Sequence, residues 1–461
     1  MTILNYKSIH STKRQFFLNC SIIILLCFIL LRWFLLIDRY SVNMLFWDQW
    51  DFLGALFDSK GPWDLFSWQH GPHRQGIGFF LTKIVADCSG WNTRVESFMI
   101  GIVVCLAALT AAFLKLRLVG KITALDIFIA LLYLTPLQFG LVANTPNVSH
   151  GAMPLLLITL FCLCWTIDGI TLRYVLCAII NFMEIYTGFG IFLGCITPIL
   201  FLSELYLARK RKQTGNMFLA ILFFFIALAS VLSFFIDYTF CPAAKGFTFP
   251  YPQPLMYAEY IIIALGAFCG IRGSHIASMS VGFPAACCMI YIIIKAAASI
   301  VRDASNRAMK DNIVQRQIIL VLVTFTLTFS LNLAIGRVCL GLETATASRY
   351  TPYITPAFFA LYLFSTTQKD VPKRLIIFSI VCFFVTTFSI GNHNRAYAER
   401  LCQGKLRWKQ AYLQTENIHS ANRVSGFAIH PNPSRTHLKR KLDYLKEHRL
   451  NLYLPGNRLM R

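Results

Sequence analysis

The sequence predicts an all-α polytopic membrane protein of about 11 transmembrane helices, within a range of roughly 10–12. Three observations carry that class. Of 461 residues, 56% are hydrophobic and 14% are charged, against about 45–50% and about 25% in soluble domains. Mean hydropathy is +0.57. Apolar runs approaching the roughly 20 residues needed to cross a bilayer recur along the chain, separated by polar or basic breaks. Disorder, collagen and a small disulfide scaffold are excluded, because apolar residues dominate a long chain. The net charge is +22, from 43 Lys+Arg against 21 Asp+Glu. Membrane proteins keep such residues in cytoplasmic loops and at anionic headgroups. Nucleic acid is the other usual reason, and membrane spans argue against it.

Residues 1–15 read as a basic cytoplasmic N-terminus, with Lys7, Lys13 and Arg14. No small-residue cleavage site follows the apolar run to about Ile37, so this run is expected to be an uncleaved first span. Residues 38–97 form a long, aromatic and polar first outside loop. Spans follow at about 98–114, 124–143 and 152–167; a cytoplasmic turn at Arg173 leads to a short span ending at about Met183, and spans at about 188–207 and 216–237 come next. The run ArgLysArgLys at 209–212 is the clearest positive-inside mark. Later spans are expected at about 278–297, 317–335, 353–366 and 374–391. These bound a membrane domain over 16–390 and a polar, basic C-terminal domain over 391–461.

Residues 255–270 decide the topology. The run is short for a span and breaks at GlyIleArgGly, as a re-entrant or interfacial segment would. Counted as partial, it leaves eleven spans and puts the loop 336–352 and the tail outside. Counted as a full span, it reverses both. The tail, with 14 Lys+Arg against 4 Asp+Glu, favours reversal, but long domains translocate largely regardless of charge. The short basic segments 299–316 and 367–374 favour eleven. No internal repeat is evident, which weakens a transporter reading.

Most of the 15 Cys lie inside apolar runs, as Cys162, Cys164, Cys287 and Cys288 do. There they act as small hydrophobes. Cys88, Cys241, Cys339 and Cys402 lie outside the obvious spans, and spacing assigns no pairing among them.

The first outside loop holds the most chemistry. Asp48 and Asp51 lie three apart in FWDQWDFLGALF, on one face of a helix. A carboxylate among aromatics is partly desolvated and suits a general base. Two at this spacing also suit a shared divalent cation, Mg or Mn. The plain alternative is an interfacial helix with its Asp residues in water. Next comes Gln69-His70-Gly71-Pro72-His73-Arg74-Gln75, a rigid polar corner whose His and Arg donors suit a phosphate. His70 and His73 lack an evident third ligand for zinc. In the loop 336–352, Arg337, Arg349 and Tyr350 lie at the ends of adjacent spans, where Arg suits a lipid phosphate or snorkels to headgroups. Glu184, in NFMEIYTGFG, sits at a break between two spans. A carboxylate near membrane depth is costly and usually functional or paired. Asn147-Val148-Ser149 fits a glycosylation sequon, a short and common pattern. In the tail, Leu438, Leu442, Leu445 and Leu450 have helical spacing. This basic amphipathic helix either rests on anionic headgroups or caps the outer loops.

A multi-span chain with acidic residues opening a long first outside loop resembles the glycosyltransferase C fold. FWDQWDFL…WQHGPHRQ, GRVCLG…ASRY and the Leu-rich tail helix resemble bacterial O-antigen-modifying membrane glucosyltransferases and their relatives. The resemblance implies an integral protein of the bacterial inner membrane, with its N-terminus cytoplasmic and its active face periplasmic. It implies an inverting hexosyltransferase that moves a sugar from a polyprenyl-phosphate donor to a lipopolysaccharide or other envelope glycan or lipid. Asp48 is the first choice of base and Asp51 the second. Arg349, Arg337 and Arg74 are the phosphate holders the resemblance implies. Some relatives use a divalent metal and others do not. Two other classes compete: a polysaccharide polymerase, whose main loop is expected late in the chain, and a transporter or flippase of lipid-linked sugars.

Overall fold

The structure is a computed structural model. It describes residues 2–240, 244, 246–306, 309–367, 373–388 and 392–454, with residues 2–19 and a few helix-end positions described by backbone alone. It is 77% helical. In chain order, α1 is Thr2–Tyr40, and the first loop carries α2 (Gln49–Phe52), α3 (Gly54–Phe57), α4 (Pro62–Ser67), a hairpin of β1 (Gln69–His70) and β2 (His73–Arg74), and α5 (Gly76–Ser89). The bundle continues with α6 (Thr93–Val119), α7 (Ile127–Tyr133), α8 (Ala152–Trp165), α9 (Ile170–Ile185), α10 (Ile191–Lys210), α11 (Thr214–Phe234), α12 (Leu255–Phe268), α13 (His275–Asp303), α14 (Lys310–Arg337), α15 (Thr351–Thr367) and α16 (Lys373–Phe388). The tail forms α17 (Asn392–Thr415), α18 (Ile418–Ser425) and α19 (Leu438–Glu447).

Among the described residues, 6 helices are long and apolar enough to cross a membrane: Cys20–Tyr40, Thr93–Val119, Ile191–Lys210, Thr214–Phe234, His275–Asp303 and Asp311–Leu340. Shorter apolar helices fill in between them. The chain is therefore an all-α protein with the character of an integral membrane protein. A helix satisfies its backbone internally, which is what a lipid solvent demands. The side chains that these helices expose, such as Phe218, Phe225 and Ile294, are apolar for the same reason.

One expected span is broken. The run 124–143 is helical only in pieces: α7 stops at Tyr133, a 3-10 turn covers Pro136–Gln138, and a π-turn covers Gly140–Asn144. Pro136 supplies no N–H and disfavours helical geometry at Thr135. The Thr135 hydroxyl caps the new turn by accepting from the Leu137 N–H at 3.4 Å.

The two ends of the bundle differ. At one end the basic run after α10 meets α13 and α14: the Arg211 Nε donates to the Ala304 carbonyl at 3.0 Å, and Arg316 pairs with Asp303 at 2.6 Å. Lys115 and Asp126 form a buried ion pair there at 2.6 Å, and Tyr362 donates to the same carboxylate at 2.7 Å. Glu204 accepts from Arg173, Tyr174 and Gln317 at 3.1, 2.8 and 2.7 Å. Arg173 thus lies inside the first turn of α9 rather than in a loop. The opposite end, the loop end, carries the first loop, the 144–151 turn, the 336–352 loop and the tail.

Both flanks of helix α12 bond residues of the loop end. The chain that leads into it bonds the first loop, through Thr239 with Gln69 and Tyr238 with the Pro72 carbonyl. The chain that leaves it returns to the same end, where Arg272 Nη2 reaches the Leu137 carbonyl at 3.2 Å and Thr351 Oγ1 at 3.4 Å. Its 14 residues span about 21 Å at 1.5 Å per residue.

The tail caps the first loop. Leu438, Leu442 and Leu445 of α19 are fully buried, each worth about 1.5–3 kcal/mol. Phe57 packs edge-on against both Trp91 and Tyr444. Of the two roles open to this amphipathic helix, covering the loops is the one it plays. The described cysteines form no disulfide, and Cys241 lies outside the described residues. The turn 367–374 lies largely outside them too. Asn147 is buried and donates to Gln75 Oε1 at 3.2 Å, so the sequon is not offered to solvent.

Candidate functional site

Short turns at the loop end collect the polar residues. Gly71 turns the hairpin at φ +59, a left-handed conformation that favours glycine. The register sets His70 opposite His73 and Gln69 opposite Arg74. His73 packs edge-on against Phe189 and against His150, with ring centroids 4.1 and 4.6 Å away. Gly188 lets the 186–190 turn approach: a Cβ there would meet the Tyr353 hydroxyl at 2.4 Å and the Ser149 carbonyl at 2.8 Å.

Burial sets the charge of these imidazoles. His150 is pushed down to about 3, first by burial and then by the charges of Arg349, His70 and Arg337. His73 lies well below the ordinary histidine range, by burial and then by His150, His70 and Arg337. His70 is lowered by burial, against the pull of Asp48 and Asp51. At neutral pH all three are neutral and act as single N–H donors or acceptors.

The expected arginines divide. Arg337, at the end of α14, makes no hydrogen bond or ion pair with the described residues, yet its charge acts on His73, His150 and Tyr260. Arg349 stands in the Ser348–Tyr350 turn; its one hydrogen bond is from Nη2 to the Tyr350 hydroxyl at 3.3 Å. Arg74 is different. Its guanidinium donates to the Phe234 carbonyl at 3.0 Å, to the Ser67 carbonyl at 2.5 Å and to the Ile236 carbonyl. It also lies over the Tyr186 and Phe234 rings. Those contacts engage three of its five N–H donors and give Arg74 a role in pinning the hairpin to the end of α11, beside the phosphate-holding role expected of it.

The two aspartates also divide. The helix that holds them is only Gln49–Phe52, with Asp48 at its N-cap. Gln49, fully buried, fastens the turn to the Phe46 N–H at 3.0 Å and to the Pro146 carbonyl at 3.1 Å. Asp51 turns to the tail, accepting from the Thr436 hydroxyl and lying 3.4 Å from His430 and 3.6 Å from Lys441. Asp48 is exposed; its carboxylate makes no hydrogen bond or ion pair with the described residues, and it acts electrostatically on His70 and Arg349. A shared divalent cation does not fit this arrangement, because Lys441, His430 and Thr436 occupy Asp51. Among the described residues no three His, Cys, Asp or Glu side chains are placed to hold a metal ion.

Glu184 is fully buried at the end of α9; Oε2 accepts from the Thr187 hydroxyl at 3.3 Å, and Oε1 has no partner among the described residues. It acts electrostatically on Tyr353, whose ring packs edge-on against His150 at 6.2 Å between centroids. The site therefore brings together Asp48, His70, His73, Arg337, Arg349 and Tyr350. It leaves Asp51, Arg74 and Glu184 at its margin. Sequence reasoning missed His150, Tyr260 and Arg272. The only signal for His150 was its place in a polar turn between apolar runs.

Beside Arg349 opens a cavity of about 620 Å³, bounded by Asn144, Thr145, Arg272, Thr346 and Tyr397 among others. Lys405 of α17 props its wall, donating to the Ala143 and Asn144 carbonyls at 3.1 and 2.6 Å. Compared with known proteins, the chain matches no family, no curated protein and no solved structure.

Proposed function

We propose that the chain is an integral-membrane hexosyltransferase of glycosyltransferase C type, with eleven spans. It transfers a sugar from a polyprenyl-phosphate donor to an envelope glycan or lipid. The loop end faces the non-cytoplasmic side, opposite the basic run at 209–212, and the membrane is the bacterial inner membrane.

One observation carries the reading. An aspartate whose carboxylate has no partner among the described residues acts on Arg349, and Arg337, likewise without a carboxylate partner among them, acts on the histidines of the same loop end. In the proposed reaction Asp48 takes the proton of the acceptor hydroxyl as that oxygen attacks the anomeric carbon. The bond from that carbon to the phosphate oxygen breaks, and its electron pair leaves on the polyprenyl phosphate. Arg337 and Arg349 stabilise the charge that develops there. Attack opposite the leaving group inverts the centre, and Asp48 then returns its proton to water. The neutral histidines contribute N–H groups and orientation rather than charge. No step passes through a metal.

The test is label transfer in membranes supplied with radiolabelled polyprenyl-phosphate hexoses. Asp48→Asn is expected to lower turnover by about 10²–10⁴-fold, the usual contribution of a general base. Asp51→Asn is expected to retain most of it. Undiminished transfer by Asp48→Asn removes the assigned base. No transfer from any donor, with folded protein present, removes the reading itself.

A further inference from the structure

The cavity beside Arg349 has a chemistry of its own. Its polar wall comes from Asn144, Thr145, Thr346 and Ser348, and Phe139 and Tyr397 add ring surface. Hydroxyl and amide groups beside aromatic rings match a ligand that is polar at its edges and apolar on its faces, as a sugar ring is.

The charge in the wall is unbalanced. Arg272 and Arg349 both line it, and neither guanidinium has a carboxylate within ion-pair distance among the described residues. Burial pushes Arg272 down to about 10, which leaves it charged at neutral pH. Glu343 is the one carboxylate in the wall, and it is exposed. At about 620 Å³, the cavity falls within the roughly 300–1,000 Å³ of small-ligand sites.

We propose that this cavity is the acceptor subsite and that it takes an anionic glycan, with Arg272 and Arg349 reading its carboxylate or phosphate groups. The proposal rests on the transferase reading, because Arg349 is shared between the cavity and the donor-phosphate site.

The experiment measures equilibrium binding of two probes, tetragalacturonate and uncharged maltotetraose, to the purified full chain. Tetragalacturonate is expected to bind at least about tenfold more tightly, the size of one charge-assisted hydrogen bond. Thr346→Trp, which fills the cavity from a partly exposed turn, should weaken tetragalacturonate by about tenfold or more. Glu343→Gln removes the opposing charge and should tighten it about threefold, an outcome that misfolding does not imitate. Equal binding of the two probes overturns the proposal. So does tight binding that ignores both substitutions, which marks attraction to the basic surface at large. Binding is read without turnover, so the two readings fail separately. A chain that binds tetragalacturonate as described but moves no label keeps the anionic-glycan site and loses the transferase. A chain that moves label yet binds both tetramers alike loses the glycan proposal alone.

Discussion

Asn43 and Asn451 hold each other across 408 positions of sequence. The Asn43 carboxamide donates to the Asn451 carbonyl at 3.1 Å, and the Asn451 carboxamide donates back to Asn43 Oδ1 at 3.0 Å. Both are fully buried. The same Asn43 oxygen accepts from the Thr93 N–H at 3.1 Å, and Asn451 also donates to the Trp91 carbonyl at 2.7 Å. Asn43→Ala leaves buried donors unpaired, which costs about 1–3 kcal/mol. The expected result is a lower melting temperature and faster proteolysis of the tail; an unchanged proteolysis rate rules the clasp out as what holds the tail.

Leu442 tests the apolar half of the same contact. It is fully buried beneath α19, and truncating such a leucine costs about 2–5 kcal/mol. Leu442→Ala should expose the tail to protease before the bundle melts. Loss of the two together shows that tail and bundle unfold as one unit.

Asp51 and Lys441 form the polar half. Lys441 is 8% exposed in its side chain, sits 3.6 Å from Asp51 and donates to the Trp50 carbonyl. Burial lowers its pKa and Asp51 opposes that lowering. Asp51→Asn and Lys441→Met should each lower the melting temperature. A double-mutant cycle should return about 0.5–3 kcal/mol of coupling. Additive effects refute the pairing. Asp48→Asn, which removes a carboxylate with no bond among the described residues, should leave the unfolding free energy within about 0.5 kcal/mol of wild type.

The buried histidines predict acid sensitivity. His150 is held at about 3 when folded and near 6.5 when unfolded. The unfolded state therefore binds the extra proton first, so stability is full above about 6.5 and falls as pH drops toward 3. At pH 5 the loss is about 2 kcal/mol for this group. Melting temperatures at pH 7.5 and pH 5 should differ less in His150→Gln than in wild type. An equal difference removes His150 as a cause.

The membrane class was legible because bilayer solvation imposes composition and period on whole segments, and no tertiary partner is needed to read them. That the first loop and the 336–352 loop share one end of the bundle was legible for a related reason: polar residues in short outer turns of a bundle have few places to go. Pro136 also announced itself, and the run 124–143 was nonetheless read as continuous, since hydropathy averages over a break. The fates of Asp51 and Arg74 were not legible. Asp51 is fixed by Thr436, His430 and Lys441, and Arg74 by carbonyls at 67, 234 and 236, none of which a local pattern indicates. Helical spacing in α19 told which face was apolar; it carried no information on whether lipid or protein would cover it.

The buried clasp between Asn43 and Asn451 also bears on how the protein is made. The first loop emerges from the ribosome with its hydrophobic seat for α19 empty, and nearly the whole chain must be synthesised before that seat is filled. A chain cut short by premature termination would retain its spans and leave the seat bare, an exposed apolar surface of the kind that quality-control proteases recognise. Completion of the working face thus waits on the synthesis of Leu438–Glu447 and Asn451.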